Sequence, residues 1–144
     1  MNHNYTPAER FERASLRVAL LIRGIWEETG RSDTRLLEAP LLPDELTVVG
    51  QSKAFSGRGR REHVVPRLVI IKHCLEMLKN KATDDQIAEF IRAHVKIVCV
   101  IREEALQLDS AAQHRLKQRM PADWIPGGNP FARLEAARID WLPL

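Results

Sequence analysis

Long apolar runs are missing from this chain. The longest, from Val95 to Ile101 and broken only by Lys96, is strand-sized, far short of the roughly 18 residues needed to cross a bilayer. A membrane-embedded protein is therefore not expected. Cysteine is scarce as well: Cys74 and Cys99 stand far apart in apolar surroundings, with no C-x-x-C pair. That pattern gives neither a disulfide framework nor a zinc ribbon and is read as two reduced, buried thiols. Met1 to Pro7 lack the cationic-then-apolar layout of a secretory signal, so a soluble cytoplasmic protein is expected. There is no G-x-x-x-x-G-K-[ST] loop for nucleotide phosphates and no G-x-S-x-G elbow for a serine hydrolase. Aromatic residues make up only 6%, and none alternate with the arginines as a base-stacking platform requires.

What remains is a chain of 144 residues, 44% hydrophobic and 28% charged. That length suits one domain, read here as residues 1–144. Three parts are distinguished: an N-terminal helix and connector (1–45), a central unit (46–119) and a packed tail (120–144). Thr6-Pro7-Ala8-Glu9 is a capping box with proline at the first helical position. It opens a helix to about Thr29, stopped at Gly30. Leu68 to Lys79 has helical spacing, and Thr83-Asp84-Asp85-Gln86 opens another helix to about Ala93. Leu46–Val49, Glu62–Val65 and Val95–Ile101 are strand-like, the last apolar on both faces. The first two flank a glycine-containing basic loop, which suggests a β-hairpin or ribbon. Arg102 begins a helix expected to reach about Gln118, and Phe131–Ile139 suits a short one. The expected class is α+β, helix-rich, with a small antiparallel sheet.

The net charge is only +3, so its distribution matters more than its size. Between residues 53 and 67 the cations Lys53, Arg58, Arg60, Arg61 and Arg67 face one acid, Glu62. A basic, glycine-containing segment of this kind is a candidate phosphate contact. His73 reads as an ordinary helix-face residue, and His114, in the basic run Arg115, Lys117 and Arg119, as part of a solvated helix face, with an extension of the phosphate-binding surface as the alternative. A helix-turn-helix is disfavoured because Arg92 is the only cation from Thr83 to Ala93.

The most informative stretch is Arg61-Glu62-His63-Val64-Val65-Pro66. An acid and a histidine stand side by side, followed by two β-branched residues and a proline. Neighbours on a regular strand face opposite sides, so a strand end or bulge is needed before both serve one site. Read from the residues alone, Glu62 is equally an ion-pair partner of Arg60 or Arg61, and His63 a strand-end cap on a backbone carbonyl.

This stretch resembles the first strand of the HNH endonucleases, which runs acid-His, two β-branched residues, then Pro. The resemblance implies a ββα-metal-like unit holding one divalent ion, Mg²⁺ or Mn²⁺ with Zn²⁺ as an alternative. It implies Glu62 as a metal ligand and His63 as the general base. Further along, His94 stands where the family has its orienting Asn, and Val98-Cys99 where it has Leu-Cys. Glu103 stands where the family has its last His, with Glu104 beside it. The resemblance therefore implies His94 as the residue orienting His63, and Glu103 or Glu104 as an oxygen ligand suited to hard cations. Two side chains depart from the family pattern, and two helices are inserted between its segments. The implied function is a divergent metal-dependent nuclease, or a nuclease-derived protein that binds DNA through phosphates using Lys53, Arg58, Arg60, Arg61 and Arg67. The alternative is a non-catalytic interaction protein of phage or mobile-element type that binds another protein or a nucleic-acid complex.

Overall fold

The computed structural model describes residues 4–144. Met1–His3, part of the stretch considered above for a secretory signal, lie outside them. Helix α1 (Pro7–Thr29) starts as expected: Thr6 accepts from the Glu9 backbone, and Glu9 returns the bond to the Thr6 N–H. Its buried stripe, Ala14, Ser15, Val18, Ala19 and Ile22, is narrower than its apolar content, and Leu20 and Leu21 stay exposed. The stripe packs along α4 (Asp84–His94), which offers Ile87, Ala88 and Ile91. Among the described residues no helix is long and apolar enough to cross a membrane.

The connector is more ordered than its prolines suggest. It holds a 3-10 turn at Thr34–Leu37, capped by Asp33, and a four-residue helix α2 (Asp44–Thr47) that leads directly into β1 (Val48–Ser52). Strand β2 (Arg60–His63) runs into α3 (Arg67–Lys79) through the fully buried Val64 and Val65. After α4 come β3 (Ile97–Val100), α5 (Arg102–Asp109), α6 (Ala132–Ala136) and β4 (Trp141–Pro143).

The helix-rich α+β class holds, but the small sheet, expected to be antiparallel, is mixed. Its order is β2-β3-β1-β4, with β1 and β3 parallel and the other two pairs antiparallel. The hairpin expected from β1 and β2 is absent, because β3 lies between them. The physical reason is burial: Ile97, Val98 and Val100 are buried, and a strand apolar on both faces belongs inside a sheet. Helices α3 and α4 carry the chain over to make that insertion. Strand β2 also begins earlier than expected. At Gly59 a Cβ would lie 2.0 Å from the Val100 carbonyl oxygen, so glycine lets the backbone close on β3 and start pairing at Arg60.

Two helices are shorter than expected. Helix α5 ends at Asp109, not near Gln118: the following polar run turns back, with Arg115 and Gln118 at positive φ, and Leu116 N–H bonds the Leu108 carbonyl at 2.7 Å. Helix α6 covers only Ala132–Ala136 of the expected Phe131–Ile139. The tail does more than pack, since β4 completes the sheet against β1. Gly50 makes that possible, because a Cβ there would sit 2.4 Å from the Trp141 ring and 2.5 Å from the Leu142 carbonyl oxygen.

These contacts yield a paired expectation. Gly50→Ala should cost about 1–3 kcal/mol by forcing β4 off β1, whereas Gly24→Ala on α1, whose Cβ would meet only Glu28 Oε2 at an unstrained 4.0 Å, should gain about 0.5–1 kcal/mol. Urea unfolding followed by tryptophan fluorescence measures both. A neutral Gly50→Ala would show that the β1–β4 contact is not needed.

Candidate functional site

His63 closes β2, opposite Ile97, and Glu62 stands opposite Val98. As expected of strand neighbours, the two side chains bind different partners. They nevertheless line one cleft of about 240 Å³, because β2 ends at His63. Neither partner is the one foreseen.

Glu62 pairs with Arg133 from α6, Oε1 to Nη1 at 3.0 Å. Arg133 is only 2% exposed. Its Nη1 also donates to the His63 carbonyl at 2.7 Å, while Nε and Nη2 donate to the Leu116 carbonyl at 3.1 and 2.7 Å. One guanidinium thus ties β2, the turn after α5 and the tail together. Burial pushes the Glu62 carboxyl above its usual range. Arg133 opposes that rise without cancelling it, and Asp109 adds to it.

His63 gives Nε2 to Glu38 Oε1 at 2.8 Å. Burial would raise Glu38, but the bond to His63 and the charges of Arg67 and Arg61 outweigh it and hold the carboxyl below its ordinary value. Burial drives His63 the other way, below the usual imidazole range, against the pull of Glu38. At neutral pH the pair is therefore a neutral imidazole donating Nε2–H to an ionised carboxylate. That tautomer leaves Nδ1 as a bare acceptor, buried and without a partner among the described residues.

His94, expected to orient His63, does not. It is 2% exposed, with Nδ1 on the Phe90 carbonyl at 2.8 Å and Nε2 accepting from Gly127 N–H at 3.1 Å. The ring stacks on Phe90 and meets Trp124 edge-on. Both nitrogens being taken, its work is to fasten the tail to α4. The orienting residue is Glu38, in a connector that carries no motif.

The expected metal ligands do not converge either. Glu104 accepts from Ser52 Oγ at 2.6 Å and from the Ile101 N–H at 3.0 Å, so it caps α5 and ties it to β1. Glu103 is exposed in the first turn of α5. Glu62 is committed to a buried guanidinium. Among the described residues no three His, Cys, Asp or Glu side chains come together as a cation site. This donor set does not fit a divalent ion.

The five basic candidates do not form one patch. Lys53 lies 4.0 Å from Asp140. Arg61 pairs with Asp44 at 2.6 Å and Glu38 at 3.7 Å, and Arg67 with Glu38 at 3.2 Å. Arg58 and Arg60 are exposed. The basic run Arg115, Lys117 and Arg119, expected on a helix face, is instead carried alongside by the turn after α5, where it lines a second groove that shares Asp109 and Lys117 with the first. Of the cysteines, Cys74 is buried, its thiol pushed up to about 12, while Cys99 is half-buried.

No family model matches the chain, and no match was found among curated proteins or solved structures.

Two outcomes test this geometry. Arg133→Met should cost about 3–5 kcal/mol, since it strands the Glu62 charge and two carbonyls, whereas Glu62→Gln, which keeps an acceptor for Arg133, should cost less. Chemical denaturation separates them, and equal effects would deny the ion pair its role. The second outcome concerns pH. His63, His73 and His94 all titrate below their ordinary value, chiefly through burial. The unfolded chain then binds protons that the folded chain refuses, so stability should fall as pH drops below about 6.5. Equal unfolding midpoints at pH 7.5 and 5.5 would show that the three rings titrate normally.

Proposed function

We propose that this chain binds nucleic acid, taken as duplex DNA, through its phosphates and without a metal centre. The carrying observation is the lining of the joined grooves: Arg61, Arg67, Arg115, Lys117, Arg119 and Arg133 against the carboxylates Glu62 and Asp109. Arg133 and Glu62 cancel one another, and Asp44 and Glu38 offset Arg61 and Arg67, which leaves the excess of cations on Arg115, Lys117 and Arg119 against Asp109. Arg60, exposed on β2 and within electrostatic reach of Glu62, adds a cation at the cleft's edge. Guanidinium and ammonium groups of this kind hold phosphates and position a duplex without reading its sequence.

The order of elements supports descent from a ββα unit. Strands β2 and β3 pair antiparallel, and α5 follows β3 directly. In this reading the carboxylate that would ligate a metal has been recruited to Arg133. His63, held by Glu38, keeps an unused nitrogen, but the acid beside it is not free to hold the divalent ion that the HNH resemblance implies. The chain is then a binding protein on a nuclease-like scaffold.

Fluorescence anisotropy with a labelled duplex tests the proposal. Log affinity should fall linearly with log salt, by about 0.9 per phosphate contact. Replacing Arg115, Lys117 and Arg119 with Ala should flatten that slope by up to about three contacts. Mg²⁺, Mn²⁺ and EDTA should leave binding specificity unchanged, with no strand cleavage. Salt-independent binding, or none at low salt, would defeat the DNA reading, and divalent-dependent cleavage abolished by His63→Ala would restore the metal-dependent one.

A further inference from the structure

Three cationic or donor groups converge on one carboxylate behind the cleft wall. Glu38 Oε1 accepts from His63 Nε2 at 2.8 Å and lies 3.2 Å from Arg67 Nη1, while Oε2 lies 3.7 Å from Arg61 Nη1. Arg61 turns its Nη2 to Asp44. A guanidinium carries five N–H donors in a planar fork, so these contacts leave donors of both arginines unused. Their side chains remain 39% and 36% exposed. Both line the cleft, where Lys117 adds an ammonium and Thr34 a hydroxyl. Two carboxylates line it too: Glu62, neutralised by Arg133, and Asp109.

We propose that Arg61, Arg67 and Lys117 form a phosphate-binding subsite, taking a phosphate mono- or diester, whose affinity Glu38 holds down. Two forks and a point charge on the walls of one cleft match the oxygens of a tetrahedral anion. Glu38 and Asp44 fix the guanidiniums from behind, and both charges oppose the incoming anion. At rest the cluster is internally neutralised, so an incoming phosphate must compete with Glu38 and Asp44 for the two guanidiniums. The choice of a nucleic-acid phosphate as ligand rests on the reading of function above. The subsite itself does not.

Calorimetric titration with inorganic pyrophosphate at low ionic strength tests it, using wild type, Glu38→Gln, Arg67→Ala and Lys117→Ala, each checked for folding by its melting curve. Gln keeps an acceptor for His63 and Arg67 while removing the charge, so Glu38→Gln should bind about tenfold tighter and each alanine variant about tenfold weaker. A purely structural Glu38 gives no tightening. Should Glu38→Gln not fold, Asp44→Asn removes the charge on the other side of Arg61 from a half-exposed position and should also tighten binding. Pyrophosphate binding that is unchanged in Arg67→Ala, or no tighter in the folded charge-removal variant, overturns the subsite. A 5′-phosphorylated oligonucleotide is then added in competition. If it displaces pyrophosphate, the ligand is a nucleic-acid phosphate. If pyrophosphate behaves as stated and the oligonucleotide does not displace it, the subsite stands for a free phosphate compound and the nucleic-acid reading fails.

Discussion

The architecture around the cleft depends on one buried guanidinium. Arg133 comes from a five-residue helix with little packing surface of its own. It nonetheless reaches Glu62 and the His63 carbonyl on β2 and the Leu116 carbonyl in the turn after α5. Placing such a charge at 2% exposure is costly unless each of its nitrogens finds an acceptor and a counter-charge stands beside it. Both conditions are met, and meeting them fixes three segments far apart in sequence. The exposed turn that carries Arg115, Lys117 and Arg119 is thereby held against the end of β2, which turns scattered basic residues into the wall of a groove.

The same interaction decides the chemistry of the site. A carboxylate bound to a buried guanidinium is a poor ligand for a divalent ion, because the metal would have to displace Arg133 and leave it buried without its counter-charge. On the other face of β2, Glu38 supplies the carboxylate that sets the tautomer of His63. The two acids divide the site between them. One neutralises the cation that holds the fold together, and the other positions an imidazole and two guanidiniums.

Much of the fold was legible in the sequence because its signals are local. The capping boxes at Thr6 and Thr83 satisfy orphan N–H groups within one turn, so they mark α1 and α4 wherever those helices pack. The apolar run before Arg102 marks β3 as a buried strand. Partner choice across the sheet was not legible. Nothing near Leu46–Val49 or Arg60–His63 says that β3, arriving after two helices, will separate them, and β4 is three residues long. The site was half legible. Glu62, His63, Arg61 and Arg67 do line the cleft, since they follow from one strand end and the helix start beyond it. Glu38 and Arg133 sit in a proline-broken connector and an irregular tail, where no periodicity or spacing separates a buried charge from a solvated one.

His94 shows how a motif position changes meaning with its surroundings. By sequence it stands where the HNH resemblance places a polar residue that serves the base, at the end of a helix just before a strand. In the fold that helix end faces Phe90 and Trp124, and the ring is consumed by a carbonyl on one side and the Gly127 N–H on the other. A histidine suits this place because one neutral ring both donates and accepts, which an alkyl side chain of similar volume does not do. Two rings on one chain, His63 and His94, are thus both buried and both kept neutral, yet only the first faces a cleft that a ligand can enter. Burial and perturbed titration therefore do not by themselves distinguish a functional histidine from a structural one here. The two rings differ in the nitrogen left over: His94 has none, and His63 has Nδ1, itself buried and without a partner among the described residues.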